Sequence, residues 1–320
     1  MMRRIPVRQI LKWAGYLVFF IACFIFFAYQ TFPYEKLAAR IVQGARAKGY
    51  DLEIIDLTNA GLTGLTFENM RLVLPEEDDD ASPPLDVLFD ELTIKTSLFS
   101  LFSDSKSYSF DAELAGGEAD GDLTIGEDNL EVDAEVQDVE LGGIPALRSF
   151  TKVPLAGTLN GQLELSMPSE LDESTGDVAM TIEGMKVGDG KAQIQIPGWG
   201  GLTVDEADAG KLELLATVEN GNAIIEKAES DGKDLKVRML GKIRLGRPIK
   251  RSELDLIINA KIEDAYKERS PKVATMFQLA SSGLKSAMTP DGAIQYTITG
   301  SLGGRLQPRA AGRLPFEAPK

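Results

Sequence analysis

From Asp51 onward, apolar and polar positions alternate with period two for most of the chain. In VPLAGTLNGQLELS, residues 153–166, Gly157, Leu159, Gly161, Leu163 and Leu165 fall on one parity, and Thr158, Asn160, Gln162 and Glu164 on the other. That is a strand with one dry and one wet face. YDLEIIDLT, LTFENMRLVLP, LDVLFDELTIK, SYSFDAELAGG, EADGDLTI and NLEVDAEVQDVEL precede it with the same rhythm. DVAMTIEGMKV, KAQIQIP, KLELLATVE, AIIEKAESD, DLKVRMLGKIRLG, RSELDLIINAKIE and AIQYTITGSLG follow it. Turn residues join them, as in GEDN at 126–129, ENGN at 219–222 and SDGKD at 230–234. Links this short favour antiparallel neighbours in a meander, since parallel strands need crossover helices. Recurrent Gly-x-Leu steps predict strong curvature.

Three segments depart from the alternation. EEDDDASPP, 76–84, reads as an acidic loop. SLFSLFS, 97–103, places Leu98, Leu101 and Phe102 at i, i+3 and i+4, which predicts a small helix laid on the sheet. A helix after Pro271 is predicted to turn Val273, Met276, Phe277 and Leu284 to one side.

The amino terminus has a different period. No charged residue occurs from Trp13 to Tyr34, between Lys12 and Glu35. At 1.5 Å per residue such a stretch crosses a hydrocarbon core of about 30 Å. Residues 13–34 are therefore expected to be a transmembrane anchor, with Trp13, Leu17, Phe20, Phe24 and Phe27 along it. Arg3, Arg4, Arg8 and Lys12 make residues 1–12 a basic cytoplasmic segment and send the rest outward, which in a Gram-negative cell is the periplasm. The flank FAYQTFPYE lacks a small-x-small cleavage site, and the apolar run continues past Cys23, which reads as a buried thiol. Residues 35–49 read as an amphipathic helix, with Thr31 and Pro33 as start signals, Leu37, Ile41 and Ala45 on one side, and Lys36, Arg40, Arg46 and Lys48 around it. It is expected to cap the following sheet or to rest on anionic headgroups. Residues 50–310 form the expected periplasmic β-rich domain and 311–320 a flexible tail.

Charge and composition narrow the function. Residues 1–48 carry eight Lys/Arg against one acid, so the formal −15 of the chain becomes −22 for residues 49–320. A domain so acidic repels phosphate backbones, and nucleic acid is not an expected partner. Histidine is absent and Cys23 is the single cysteine, which removes His-dependent triads, His or Cys zinc sites and internal disulfides. No catalytic residue, cofactor or metal is expected. Asp120, Asp122, Thr124, Asp128 and Glu131 imitate a calcium loop, but Ile125 stands where that loop needs glycine, so a GEDN hairpin is the better reading. An outer-membrane barrel would carry aromatic belts, and residues 51–320 hold eight Phe, three Tyr and one Trp. The architecture expected is mainly β: an anchor helix, then a long curved antiparallel sheet, groove or incomplete barrel, with a few short helices.

The order of parts resembles a known family. An anchor, FPYEKLAARI, a strand pair around GLTGLTFENMRLVLP, DELTIKTSLFSLFS and YSFDAELAGGEADGDLTI resemble protein N of type II secretion systems, the GspN family. SELDLIINAKI, a helix and DGAIQYTITGSLGGRLQPR are similar to its carboxyl end, so the resemblance covers most of the chain. The strand, SLFSLF helix, strand, Gly-Gly, strand order also resembles the wider AsmA-like group of anchored β-groove proteins. The first resemblance implies the function expected here, a single-pass inner-membrane, non-enzymatic component of type II secretion whose partners are other secretion subunits, with the second as the alternative. The second implies a periplasmic protein that shields lipid acyl chains in a groove and contributes to outer-membrane assembly. The two roles ask different things of the dry face carrying Leu159, Leu163 and Leu165: a closed core in the first, an open apolar lining in the second.

Overall fold

The structure, a computed structural model, describes residues 7–74, 85–97, 100, 103–151, 153–191, 193–196, 200–203, 205–247, 251–278, 282–304 and 306–318. It is mainly β, with 55% of the chain in strands and one curved, open, antiparallel sheet of 14 strands. Helix α1 (Val7–Gln30) is followed by α2 (Tyr34–Ala47). The first half of the sheet is β1 (Asp51–Asn59), β2 (Gly64–Leu74), β3 (Leu85–Thr96), β4 (Lys106–Leu114), β5 (Gly117–Ile125), β6 (Asn129–Glu140), β7 (Leu155–Pro168) and β8 (Thr175–Val187), with the short helix α3 (Pro145–Thr151) between β6 and β7. A separate two-stranded hairpin, β9 (Gln193–Ile196) and β10 (Gly200–Thr203), intervenes. The sheet resumes with β11 (Ala207–Glu219), β12 (Asn222–Ser230), β13 (Leu235–Arg244) and β14 (Glu253–Ile262). Helices α4 (Asp264–Arg269), α5 (Pro271–Gln278) and α6 (Ser282–Ala287) then lead to β15 (Ile294–Ser301) and β16 (Gln307–Ala310).

Apart from that hairpin, the order in space is the order in sequence, as short hairpin links dictate. The expected meander is therefore the fold. At the imitation calcium loop, the Gly126 amide donates to the Asn129 carbonyl at 2.7 Å and closes a β5–β6 hairpin.

The sheet bends where its registers slip. Gly157, at φ 132°, sits at the shift between Ala156 and Thr158 in the β7–β8 pairing, a backbone that side-chain-bearing residues rarely adopt. Further along, β11 and β13 come within 8 Å Cα to Cα across the intervening β12. Two strand spacings of a flat sheet would be about 9.6 Å, so the sheet folds sharply here.

Three buried clusters hold this frame. Leu52, Leu57, Phe67 and Met70 form one on β1 and β2, covered by Leu37, Ala38, Ile41, Val42 and Ala45 of α2. Ala216, Ile225, Ala228, Leu254 and Leu256 form a second, joined by Val178, Met239, Ile243 and Ile298 and, among the described residues, by none from a helix. Strand side chains reach that burial without a helical lid only where the sheet curls over them, so the apolar face is the inner one. Ala207, Tyr266 and Val273 form a third, with Leu235, Ile262 and Phe277, where α4 and α5 close the ends of β11, β13 and β14.

Several expectations need correction. Thr31 does not start α2: its hydroxyl donates back to the Phe27 carbonyl at 2.7 Å and finishes α1, while Pro33 takes the cap position without a side-chain cap. KAQIQIP yields the hairpin strand β9, which pairs only with β10 outside the main sheet. After Pro271 the described residues form α5 and, beyond 279–281, α6, with α4 before them; Val273 is buried and Phe277 packs beside it, while the side chains of Met276 and Leu284 and residues 279–281 lie outside what is described. The tail expected from 311 is tied down, with Ala311 3% exposed and its carbonyl and that of Leu314 accepting from the Gln295 amide at 2.9 and 2.8 Å. A buried amide needs partners, and the tail supplies them. Leu98, Leu101 and Phe102 and the 76–84 segment lie outside the described residues.

Candidate apolar binding face

Cross-strand registers turn the dry parity of single strands into continuous rows. One row runs from Leu65 in β2 through Ile94, Phe110, Gly121 and Ala134 to Leu163 in β7. It continues through Val178, Ala216, Ile225 and Gly241 to Leu256 and Ile298 in β15. At about 4.8 Å per strand that is a dry path of about 50 Å. Leu165 belongs to the parallel row with Val132, and Leu159 pairs with Val139 and Ile182. The three residues singled out in the sequence thus sit on one face near the middle of the sheet.

Occupancy of this face differs along its length. Toward β12–β14 the residues are buried, Ile225 at 6% and Leu256 at 6% exposure. Across β4–β8 they are half-buried: Phe110, Leu123, Val132, Ala134, Leu163, Leu165, Val178 and Met180 keep solvent contact. Among the described residues no helix belongs to a buried cluster over this stretch; α3 lies against β3 at one end of it, and Arg247 reaches back from beyond β13 to the Met167 and Pro168 carbonyls at the end of β7. An apolar strip of this length that keeps solvent contact is a candidate binding surface.

The neighbouring rows, on the outer face, are acidic. Asp122, Asp133, Glu164 and Asp177 lie directly opposite one another on β5, β6, β7 and β8. Asp111, Asp120 and Glu135 form a second such ladder. A shallow hollow of about 540 Å³ on this side is lined by Glu135, Asn160, Gln162, Thr181 and Glu213 among others. Hydrogen bonds from Lys227 and Lys211 hold the Glu213 carboxylate below its usual range. Where carboxylates are shifted, hydrogen bonds and nearby cations shift them downward, at Asp234 against the opposing effect of burial. No group of three or more metal-ligating side chains occurs among the described residues.

The expected anchor residues Trp13, Leu17, Phe20, Phe24 and Phe27 all lie on α1, 75, 60, 68, 65 and 61% exposed. The ring contacts they make are local to α1, Trp13 with Tyr16 and Phe27 with Phe26. The described side chains of α1 run unbroken only from Lys12 to Phe24, about 20 Å of helix. Among the described residues no helix is long and apolar enough to cross a membrane.

Sequence reasoning named three residues of a face that extends over twelve strands. Phe110, Ala134, Val178 and Met180 carry the same signal, apolar residues on one parity, and aligning the strands through their hairpin turns would have joined them. No protein-family model, curated protein or solved structure matches this chain.

Proposed function

We propose that this is a non-enzymatic, membrane-anchored envelope protein whose curved sheet takes lipid acyl chains along its inner face. The half-exposed apolar row across β4–β8 carries this reading. A face meant as a core would be closed by helices or a second sheet; here Ala134 and Leu163 are paired, apolar and half exposed. The anchor is α1. Its uncharged helical stretch, Trp13 to Gln30, rises about 27 Å against a hydrocarbon core of about 30 Å, and its basic amino-terminal flank leaves the sheet on the periplasmic side of an inner membrane. Held there, the sheet shields acyl chains on their way to the outer membrane.

A second reading draws on the opposite face. The acidic ladders of the outer side suit docking to basic protein surfaces, and a component of type II secretion would use that side to hold other secretion subunits.

Leu163 and Glu164, adjacent on β7 and facing opposite ways, separate the two. A photo-crosslinking amino acid is placed at each in the native host and the adducts are identified by mass spectrometry. Lipid adducts at Leu163 but not at Glu164 are expected. No lipid at Leu163 overturns the first reading, and secretion-subunit adducts at Glu164 then assign the second. Deletion gives the matching phenotype: a leaky outer membrane with normal export for lipid handling, or loss of exported proteins behind an intact barrier for secretion.

A further inference from the structure

Helix α2 has two faces, and the fold uses one. Leu37, Ala38, Ile41, Val42 and Ala45 are half-buried on the β1–β2 cluster, while Lys36, Arg40 and Gln43 are exposed. At 100° per residue those three fall within about 60° of one another, on the side away from the sheet. Arg46, nearer the sheet, approaches Asp51 at 3.6 Å. Lys36 and Arg40 have no ion-pair partner among the described residues, although the domain beyond residue 48 is strongly acidic. Two unneutralised cations therefore stand on a helix whose apolar side is already occupied.

Their position in the chain identifies what they meet. Only Thr31–Pro33 separate α1 from α2, and three residues span at most about 10 Å. Wherever α1 enters a bilayer, the Lys36–Arg40 ridge stands at headgroup level. An acidic protein would have to fit into the same narrow layer beside the lipid. We propose that the Lys36–Arg40–Gln43 ridge binds the headgroups of an anionic bilayer and so sets the angle at which the sheet stands on the membrane. The ridge works as a point-charge contact: each Lys or Arg beside an anionic surface favours the docked state about fivefold. Because the apolar side stays on β1 and β2, docking needs no insertion of α2 and no unpacking of the sheet.

This inference rests on the reading of α1 as the anchor, and its test separates the two. The full chain carrying Cys23→Ser and Gln43→Cys is labelled with an environment-sensitive dye. It is reconstituted into nanodiscs of phosphatidylcholine alone or of phosphatidylcholine with phosphatidylglycerol. Disc-bound protein is expected in both compositions. A blue-shifted dye, quenched by headgroup spin labels, is expected only with phosphatidylglycerol, and high salt should reverse it. Adding Lys36→Gln and Arg40→Gln, both at exposed positions that leave the circular dichroism unchanged, should lower the docked-to-undocked ratio about 25-fold. Equal emission in the two compositions, or an unchanged response in the double variant, overturns the ridge while leaving the anchor intact. Protein that fails to enter either disc overturns the anchor, and the ridge with it.

Discussion

Leu163 and Ile225 share a row of the same face, yet a charge at each should have opposite consequences. Leu163 is half-buried between Ala134 and Val178, so an aspartate there keeps its water. Leu163→Asp is expected to cost under about 1 kcal/mol in urea unfolding and to abolish lipid adducts from neighbouring positions. Ile225, 6% exposed among Ala216, Ala228 and Leu256, offers a charge no solvent, and Ile225→Asp is expected to prevent folding. If both variants unfold alike, the face is a core and not an opening. Gln295 makes the same kind of point about polar groups. It is 1% exposed, accepts from the Asn259 amide at 3.1 Å and donates to the Ala311 and Leu314 carbonyls. Gln295→Ala leaves these partners unsatisfied and should cost about 1–3 kcal/mol, with proteolysis at Arg313 accelerating as the readout.

At the scale of elements, the joint between α4 and the sheet is electrostatic as well as apolar. Asp234, 5% exposed, accepts from the Asp208 amide at 2.9 Å and from Arg269 at 2.6 Å. Burial works to raise its pKa, but those two donors outweigh it and the pKa lies below the ordinary carboxylate value. A lowered folded-state pKa gives stability that is present above the unfolded value, about 3.9, and lost as pH falls below it. Arg269 is 61% exposed, so solvent screening limits the pair. Asp234→Asn should cost about 1–2 kcal/mol at neutral pH, with the difference from the parent shrinking below about pH 4. A constant difference across that range would rule out this coupling. The acidic ladder predicts the reverse sign. Asp133 lies directly between Asp122 and Glu164, and like charges so placed repel by about 0.2–1 kcal/mol per pair. Asp133→Asn should therefore raise the melting temperature, and the gain should fade in high salt. Neither ladder was legible in single strands, because each strand shows only that its wet face is acidic; the registers bring the acids together. Strand existence was legible, since alternation survives in every long strand. β10 and β16, four residues each with Gly200 and Gly201 or Pro308, and the seven-residue α3 carry too little pattern to stand out.

The whole molecule behaves as a ribbon more than as a globule. Its strands lie in chain order, so each strand draws its hydrogen bonds from its sequence neighbours, and stability is built locally, as in repeat proteins. The buried clusters lie toward the two ends: one on β1–β2 under α2, the others from β11 to β15. Between them, β4–β7 rely on ladder hydrogen bonds and on single buried residues such as Ala112, Val139 and Met167. Alternation in the sequence foretold the dry face there but could not foretell that Phe110, Leu123, Val132 and Leu163 keep solvent contact while Ala112, Val139 and Met167 are buried, because coverage depends on what other segments do in space. Hydrogen exchange reads this directly. Amides of β1–β2 and of β12–β14 should exchange slowest, and those of β4–β7 faster, although every one of these strands is paired on both sides or backed by α2. Adding lipid to protein stripped of it should slow exchange in β4–β8 and leave the two ends unchanged, because only the middle has apolar surface still to be covered. Uniform slowing along the sheet would mean that lipid stabilises the fold without occupying the face. No slowing in β4–β8 would return that face to a protein partner.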